Sequence, residues 1–204
     1  MNVLTECLAQ GTSPVGVVYF AKEYLKQQGF EELYYNKMIS PKENSKYYIA
    51  PFPDVLFAFT TGAGKEMIQS LRMAFAHVDQ PCFKVKGKPD FKSMGCAMLN
   101  VEVYGGMMDH TWFDRPLGIY GKVVLESEHP FAPEVKLFGS EEPAAVIPSL
   151  APHLNREAGG KQEYDMQREL LPLLGIEQDG DVTENFFTDY LKEQLGAEAN
   201  EVLS

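Results

Sequence analysis

Residues 71 to 86 read LRMAFAHVDQPCFKVK, and the fold turns on how this stretch is taken. Leu71, Met73 and Phe75 alternate with Arg72, Ala74 and Ala76. A period of two is the spacing of a β-strand with one apolar face. The run ends in His77-Val78-Asp79, with Pro81 close behind. Side chains two apart on a strand share a face, so the imidazole of His77 and the carboxylate of Asp79 project together. Sites in α/β proteins gather at the carboxyl ends of strands. The His-x-Asp spacing then has two readings. It is a polar pair closing a strand, or a metal ligand beside a carboxylate that orients its ring or ligates directly. The spacing alone leaves both open.

Upstream, Ser13-Pro14 predicts a helix start, with Ser as the cap and Pro in the first turn. Val15, Val18, Ala21 and Leu25 form its apolar stripe, and Gly29 is the expected stop. Residues 46–50 and 55–61 are strand-like and joined through Pro51-Phe52-Pro53-Asp54 as a hairpin. Thr61-Gly62-Ala63-Gly64-Lys65 is a plain turn, because a phosphate loop needs Gly where Phe59 stands. Downstream, 82–86 is a short strand, and Lys84, Lys86 and Lys88 form a solvated basic face. Residues 87–95, GKPDFKSMG, read as a polar connection and a domain boundary. Strand signals then recur at 97–104, 117–126 and 135–138, separated by Gly105-Gly106, by Glu128-His129-Pro130 and by the turn at 139–143. Residues 154–160 read as a loop, and 162–174 as extended or helical. A capping box over Asp181-Val182-Thr183-Glu184 predicts a last helix with Phe187, Leu191 and Leu195 on one face, ended by Gly196.

The chain has 204 residues, 45% of them hydrophobic, which is enough for a packed core in one large or two small domains. Its net charge of −11 argues against nucleic acid and anionic membranes as partners. No run approaches a membrane span, and the amino terminus lacks the basic and apolar regions of a signal peptide, so a cytoplasmic location is expected. Cys7, Cys82 and Cys96 are odd in number and lack zinc-knuckle spacing, which predicts thiols in a reducing compartment.

The segments AHVDQPCFKVK, VEVYGG at 101–106 and TWFDRPL at 111–117 stand in an order and spacing that resemble the aspartyl aminopeptidase family of zinc metallopeptidases. Ser13-Pro14, QQGFEEL at 27–33 and IPSLAPHLNR at 147–156 match as well. The resemblance covers the amino-terminal half of that family's pattern. It implies an α/β fold: an incomplete mixed-sheet zinc-peptidase lobe over residues 1–88, then a β-rich inserted dimerisation domain over 89–204. It implies an aminopeptidase that removes N-terminal, acidic residues from peptides with two zinc ions per site, and assembly as a homo-oligomer. By resemblance His77 matches a zinc ligand, and Asp79 the acidic residue that supports the catalytic site. His153 matches a residue that reaches into a neighbouring subunit to bind substrate; read without the resemblance, it is an exposed or locally bonded imidazole. The family's remaining zinc ligands and catalytic Glu match no position here, so this chain alone is expected to be inactive and to hold zinc weakly. The alternative is a non-catalytic relative that works as an interaction module.

Three departures matter. The family often has His where Gly16 stands, Thr and Ser where Val78 and Gln80 stand, and a second His where Ser149 stands. Among the other candidates, His110 and His129 read as structural or solvent-facing. Trp112 and Phe113 read as packed aromatics beside an Asp114–Arg115 ion pair. Glu141-Glu142 lies in a turn and does not match the family's catalytic Glu pair.

Overall fold

Ser13 caps a helix as its chemistry predicts. A computed structural model of the chain describes residues 2–64, 71–125, 127–128, 134–151, 153–154, 164–176 and 183–196. The turn at His129, the loop over 155–160 and the positions Asp181 and Val182 lie outside the described residues. Two compact units divide the chain, Met1–Gln80 and Pro81–Ser204, and both mix helix with small sheets.

In the first unit, α1 (Val3–Gln10) is capped by Asn2, whose side chain accepts the Thr5 N–H at 2.9 Å. α2 (Pro14–Gln27) is capped by Ser13, which accepts the Gly16 N–H at 3.1 Å. Pro14 is tolerated beside it because a helix leaves that N–H unpaired in any case. Gly29 ends the helix at φ +79°. The Phe30 N–H then bonds the Leu25 carbonyl and the Gly29 N–H bonds that of Lys26, each at 3.0 Å, a closure that requires the left-handed turn glycine adopts freely. Of the predicted stripe, Val18 is fully buried and Val15, Ala21 and Leu25 are half-buried.

The sheet of this unit runs β1 (Glu31–Glu32), β2 (Lys46–Phe52), β3 (Val55–Thr60) in that order. β2 and β3 form the predicted hairpin, with Phe52 opposite Val55 and Pro53-Asp54 at the turn. Tyr47 and Tyr48 point to opposite faces, yet both are buried. Burial of a hydroxyl requires a partner. Tyr47 accepts the Lys42 N–H at 2.9 Å, and Tyr48 donates to Glu32 at 3.2 Å. Glu32 also pairs with Lys22 at 2.8 Å. Burial alone would push the Glu32 carboxyl up, but the Lys22 ammonium and the Tyr48 hydroxyl outweigh it and hold the carboxyl below its ordinary value of 4.5. A carboxyl lowered in the folded state stabilises it above the ordinary value, and that contribution is lost as pH falls through the lowered one. The first unit is therefore expected to lose stability as pH drops below 4.5. Denaturant titrations across the acid range, compared with Glu32→Gln, check this: the variant should show a flatter acid limb.

The strand predicted over 71–77 is absent. Leu71, Met73 and Phe75 are between 65% and 86% exposed. Alternation decides which face a strand would bury, but a strand exists only where another strand takes its N–H and C=O groups. β3, the edge of the described sheet, does not pair with it.

In the second unit, β4 (Cys82–Ser93) runs straight through the expected connection at 87–95. It tolerates Gly87 and Pro89 because it is an edge strand and its register shifts between Val85 and Asp90. Met94 and Gly95, both at positive φ (51° and 73°), make the tight turn into β5 (Cys96–Tyr104). The boundary expected at 88/89 thus falls inside a strand, and the compact units meet at Gln80/Pro81. β6 (Tyr120–Leu125) and β7 (Glu134–Gly139) pair antiparallel, close to two of the predicted strands. The ambiguous 162–174 region resolves into turns followed by β8 (Leu173–Ile176), which joins the free side of β5.

The last helix, α3 (Phe186–Leu195), starts later than the capping box predicts. Asn185 precedes it without a side-chain cap. Asp90 of β4 supplies the missing acceptor, taking the Phe187 N–H at 2.8 Å. Gly196 ends the helix in the left-handed conformation, as predicted. Leu99, Val101, Val123, Leu125, Phe138, Phe187 and Leu191 form one core between the strands and this helix. Asp90→Ala is expected to cost about 1 kcal/mol, the usual loss of a capping acceptor, with Asn retaining most of it. Urea midpoints of the two variants measure the difference.

Candidate functional site

His77 and Asp79 are brought together without the strand that was to align them. The imidazole Nδ1 lies 2.7 Å from Asp79 Oδ1. An ionised carboxylate can only accept, so Nδ1–H is the donor and the Nε2 lone pair is left available. The imidazole is 90% exposed, while the Asp79 side chain is 34% exposed. Gln80 follows, and its amide donates to the Thr12 carbonyl at 3.4 Å, tying the turn to the connection between α1 and α2. A carboxylate that fixes the ring of a histidine is the usual support of a metal ligand.

The residues fit zinc in part. A catalytic zinc takes three protein ligands and a water. Among the described residues, no group of three or more His, Cys, Asp or Glu is placed to hold a metal. The pair therefore serves as one ligand with its orienting carboxylate and does not make a complete centre. Gly16 contributes nothing, and its position has no room for the family's histidine. A Cβ there would lie 2.8 Å from the Gln10 carbonyl oxygen and 3.2 Å from the capping Ser13 Oγ.

His153 belongs to the second unit and is exposed beside Leu154, whose N–H bonds the Ala151 carbonyl at 2.9 Å. His110 is exposed in a short 3-10 turn, Asp109–Thr111. Glu141 and Glu142 are exposed in a turn. Trp112 packs edge-on against Phe83, with ring centres 5.0 Å apart, as expected of a packed aromatic. The Asp114–Arg115 ion pair does not form among the described residues. Asp114 instead accepts the Ser149 N–H at 2.9 Å. Bonds from Ser149, its hydroxyl first and then its backbone N–H, hold the Asp114 carboxyl below its ordinary value. Sequence reading missed this contact because it joins residues 35 positions apart. The available signal was an Asp, a residue that tolerates left-handed backbone, just before Arg-Pro. Beside it lies a cleft of about 520 Å³ lined by Met98, His110, Phe113, Ser149, Arg168 and Leu173, among others.

The model of a family described as aminopeptidase I zinc metalloprotease (M18) matches residues 7–204. A curated relative from Clostridium acetobutylicum, "Probable M18 family aminopeptidase 2", is 32% identical over 201 residues, which is 98% of this chain and 46% of the relative. A relative of the same name from Pseudomonas fluorescens is 32% identical over 203 residues, 98% of this chain and 47% of the relative. The chain thus spans about half the length of the curated relatives it matches. Among solved structures, mApe1 of Chaetomium thermophilum superposes with a TM-score of 0.82 at 23% identity, over 98% of this chain and 48% of that one. The yeast mApe1 dodecamer superposes with a TM-score of 0.69 at 19% identity, over 98% of this chain and 45% of that one. At such identities these structures establish the mixed α/β fold. No helix among the described residues is long and apolar enough to cross a membrane.

Proposed function

This chain belongs to the aminopeptidase I zinc metalloprotease (M18) family, and from that premise we propose that it is the amino-terminal portion of a zinc aminopeptidase acting on N-terminal acidic residues of peptides. The single observation that carries the reading is the His77–Asp79 pair, held at 2.7 Å with no third ligand group among the described residues. Zinc, when bound, supplies a Lewis acid and an activated water. The contribution of this chain is to hold one ligand: Asp79 keeps the His77 ring in the tautomer that presents Nε2, and the exposure of the ring lets the remaining ligands approach it. The second zinc, the other ligands and the general-base Glu come from the half of the relatives that this chain does not span.

His153 is the proposed substrate-binding residue, acting in the site of a neighbouring subunit. The β-rich second part of the chain is the proposed dimerisation domain, and the dodecameric yeast relative supports a homo-oligomer. The cytoplasm is the proposed location.

Incubating the purified chain with zinc and a chromogenic substrate bearing N-terminal Asp or Glu tests this. Turnover at the level of buffer alone is expected. Activity that persists through purification and disappears in His77→Ala would overturn the proposal that the site is incomplete here.

A second reading is favoured by the exposed alternation of Leu71, Met73 and Phe75: a non-catalytic relative that works as an interaction module. The intact mass and zinc content of the protein from its natural source separate the two. A longer polypeptide with bound zinc supports the first reading, and a zinc-free chain of this length supports the second.

A further inference from the structure

Segment 145–147 crosses the second unit between two partners. On one side, the Leu117 N–H bonds the Ala145 carbonyl at 2.8 Å, and the Asp114 N–H bonds that of Ile147 at 2.9 Å. On the other, Val146 and Leu173 exchange both backbone bonds, at 3.0 and 2.7 Å. Ile147 is completely buried. Past it, Pro148 has no N–H to give. Ser149 makes the next bond, to Asp114 Oδ1 at 2.9 Å. Among the described residues, it is the last of this segment with a hydrogen bond back to the body of the unit. Asp114 therefore grips the segment twice, with its backbone at 147 and its carboxylate at 149. To do so its backbone sits at φ +54°, a conformation few residues other than Gly, Asn and Asp accept readily.

We infer that Asp114 is a positioning residue, whose two-point grip on Ile147 and Ser149 sets the course of the exposed segment that carries His153. This rests on the proposed reading of His153 as a substrate-binding group. His153 stands four positions beyond the last grip. Releasing Ser149 moves the pivot of that arm back to Ile147, so the position of His153 is no longer set.

Three substitutions separate the causes. Asp114→Asn keeps an oxygen acceptor and tolerates the positive φ. Asp114→Gly keeps the φ and removes the acceptor. Asp114→Ala removes the acceptor and adds backbone strain. In nuclear magnetic resonance of the full chain, the Ser149 amide should exchange about tenfold faster in the Gly variant, as expected for loss of one charge-assisted bond. Relaxation of the Ala151 and His153 amides should show increased local motion. Asn should restore both toward the parent, and the thermal midpoint of the Gly variant should stay close to it. Unchanged Ser149 exchange and His153 relaxation in Asp114→Gly would refute the inference. So would parent-like behaviour in Gly together with loosening in Ala, since backbone conformation and not the acceptor would then hold the segment. The reading of His153 is tested apart, by His153→Ala in the assembled enzyme with an N-terminal Glu peptide. Unchanged peptide affinity would remove the role of His153 and leave the resonance evidence for the grip intact.

Discussion

Leu99→Ala is expected to destabilise the second unit by about 3 kcal/mol, the middle of the range for truncating a fully buried leucine. Leu99 is 2% exposed and belongs to the one core shared by β5, β6, β7 and α3. Its neighbours are held by ladder bonds, so the space left by the lost side chain cannot collapse fully, and the cavity adds to the lost transfer energy. The Leu99 N–H also bonds the Pro172 carbonyl at 2.8 Å, a backbone contact that the substitution leaves in place. The expected effect is therefore one of packing alone. Urea unfolding followed by the fluorescence of Trp112, which packs against Phe83 in the same unit, reads it directly. A loss below about 1 kcal/mol would mean that the site repacks and that the core is looser than its burial suggests.

The second large effect concerns association. Met73→Asp combined with Phe75→Asp is expected to weaken self-association of the chain about a hundredfold. Both side chains are exposed and lie on the alternate positions of a segment that pairs with no strand among the described residues. A run with β alternation and unused backbone groups invites another chain to pair with it. Burying the two side chains in such a pairing contributes on the order of 3 kcal/mol after ordering costs, and 1.4 kcal/mol is tenfold. The proposed dimerisation domain makes the opposite prediction, because its interface lies in the second unit and ignores residues 73 and 75. Sedimentation of the parent and the double variant distinguishes them. Equal association assigns the contact to the second unit, and a monomeric parent at tens of micromolar (roughly the range in which weak interfaces still show) rules out both.

Much of the second unit was readable from local chemistry. The strands β5, β6 and β7 follow from β-prone runs broken by glycine, and α3 from the spacing of Phe187, Leu191 and Leu195. The connection at 87–95 was misread because Gly and Pro mark turns in isolation, whereas an edge strand accepts both where it needs no donor or bulges. The start of α3 was misplaced for a related reason. Its acceptor comes from Asp90, on a strand 97 residues away, and no local pattern announces such a cap.

The candidate site divides the same way. His77 and Asp79 meet at 2.7 Å although the strand expected to align them does not form, so the sequence by itself determined their nearness and not their alignment. It likewise determined the caps at Ser13, Gly29 and Gly196, where one residue's own stereochemistry governs the outcome. Only the tertiary structure decided that 71–77 pairs with no strand among the described residues, that the Gly16 position excludes a side chain, and that Asp114 turns from Arg115 to Ser149. The first and the last depend on which distant backbone group is within hydrogen-bonding reach, and the second on how closely the Gln10 carbonyl and Ser13 Oγ approach position 16. These are properties of the packed chain, and periodicity along the sequence does not carry them.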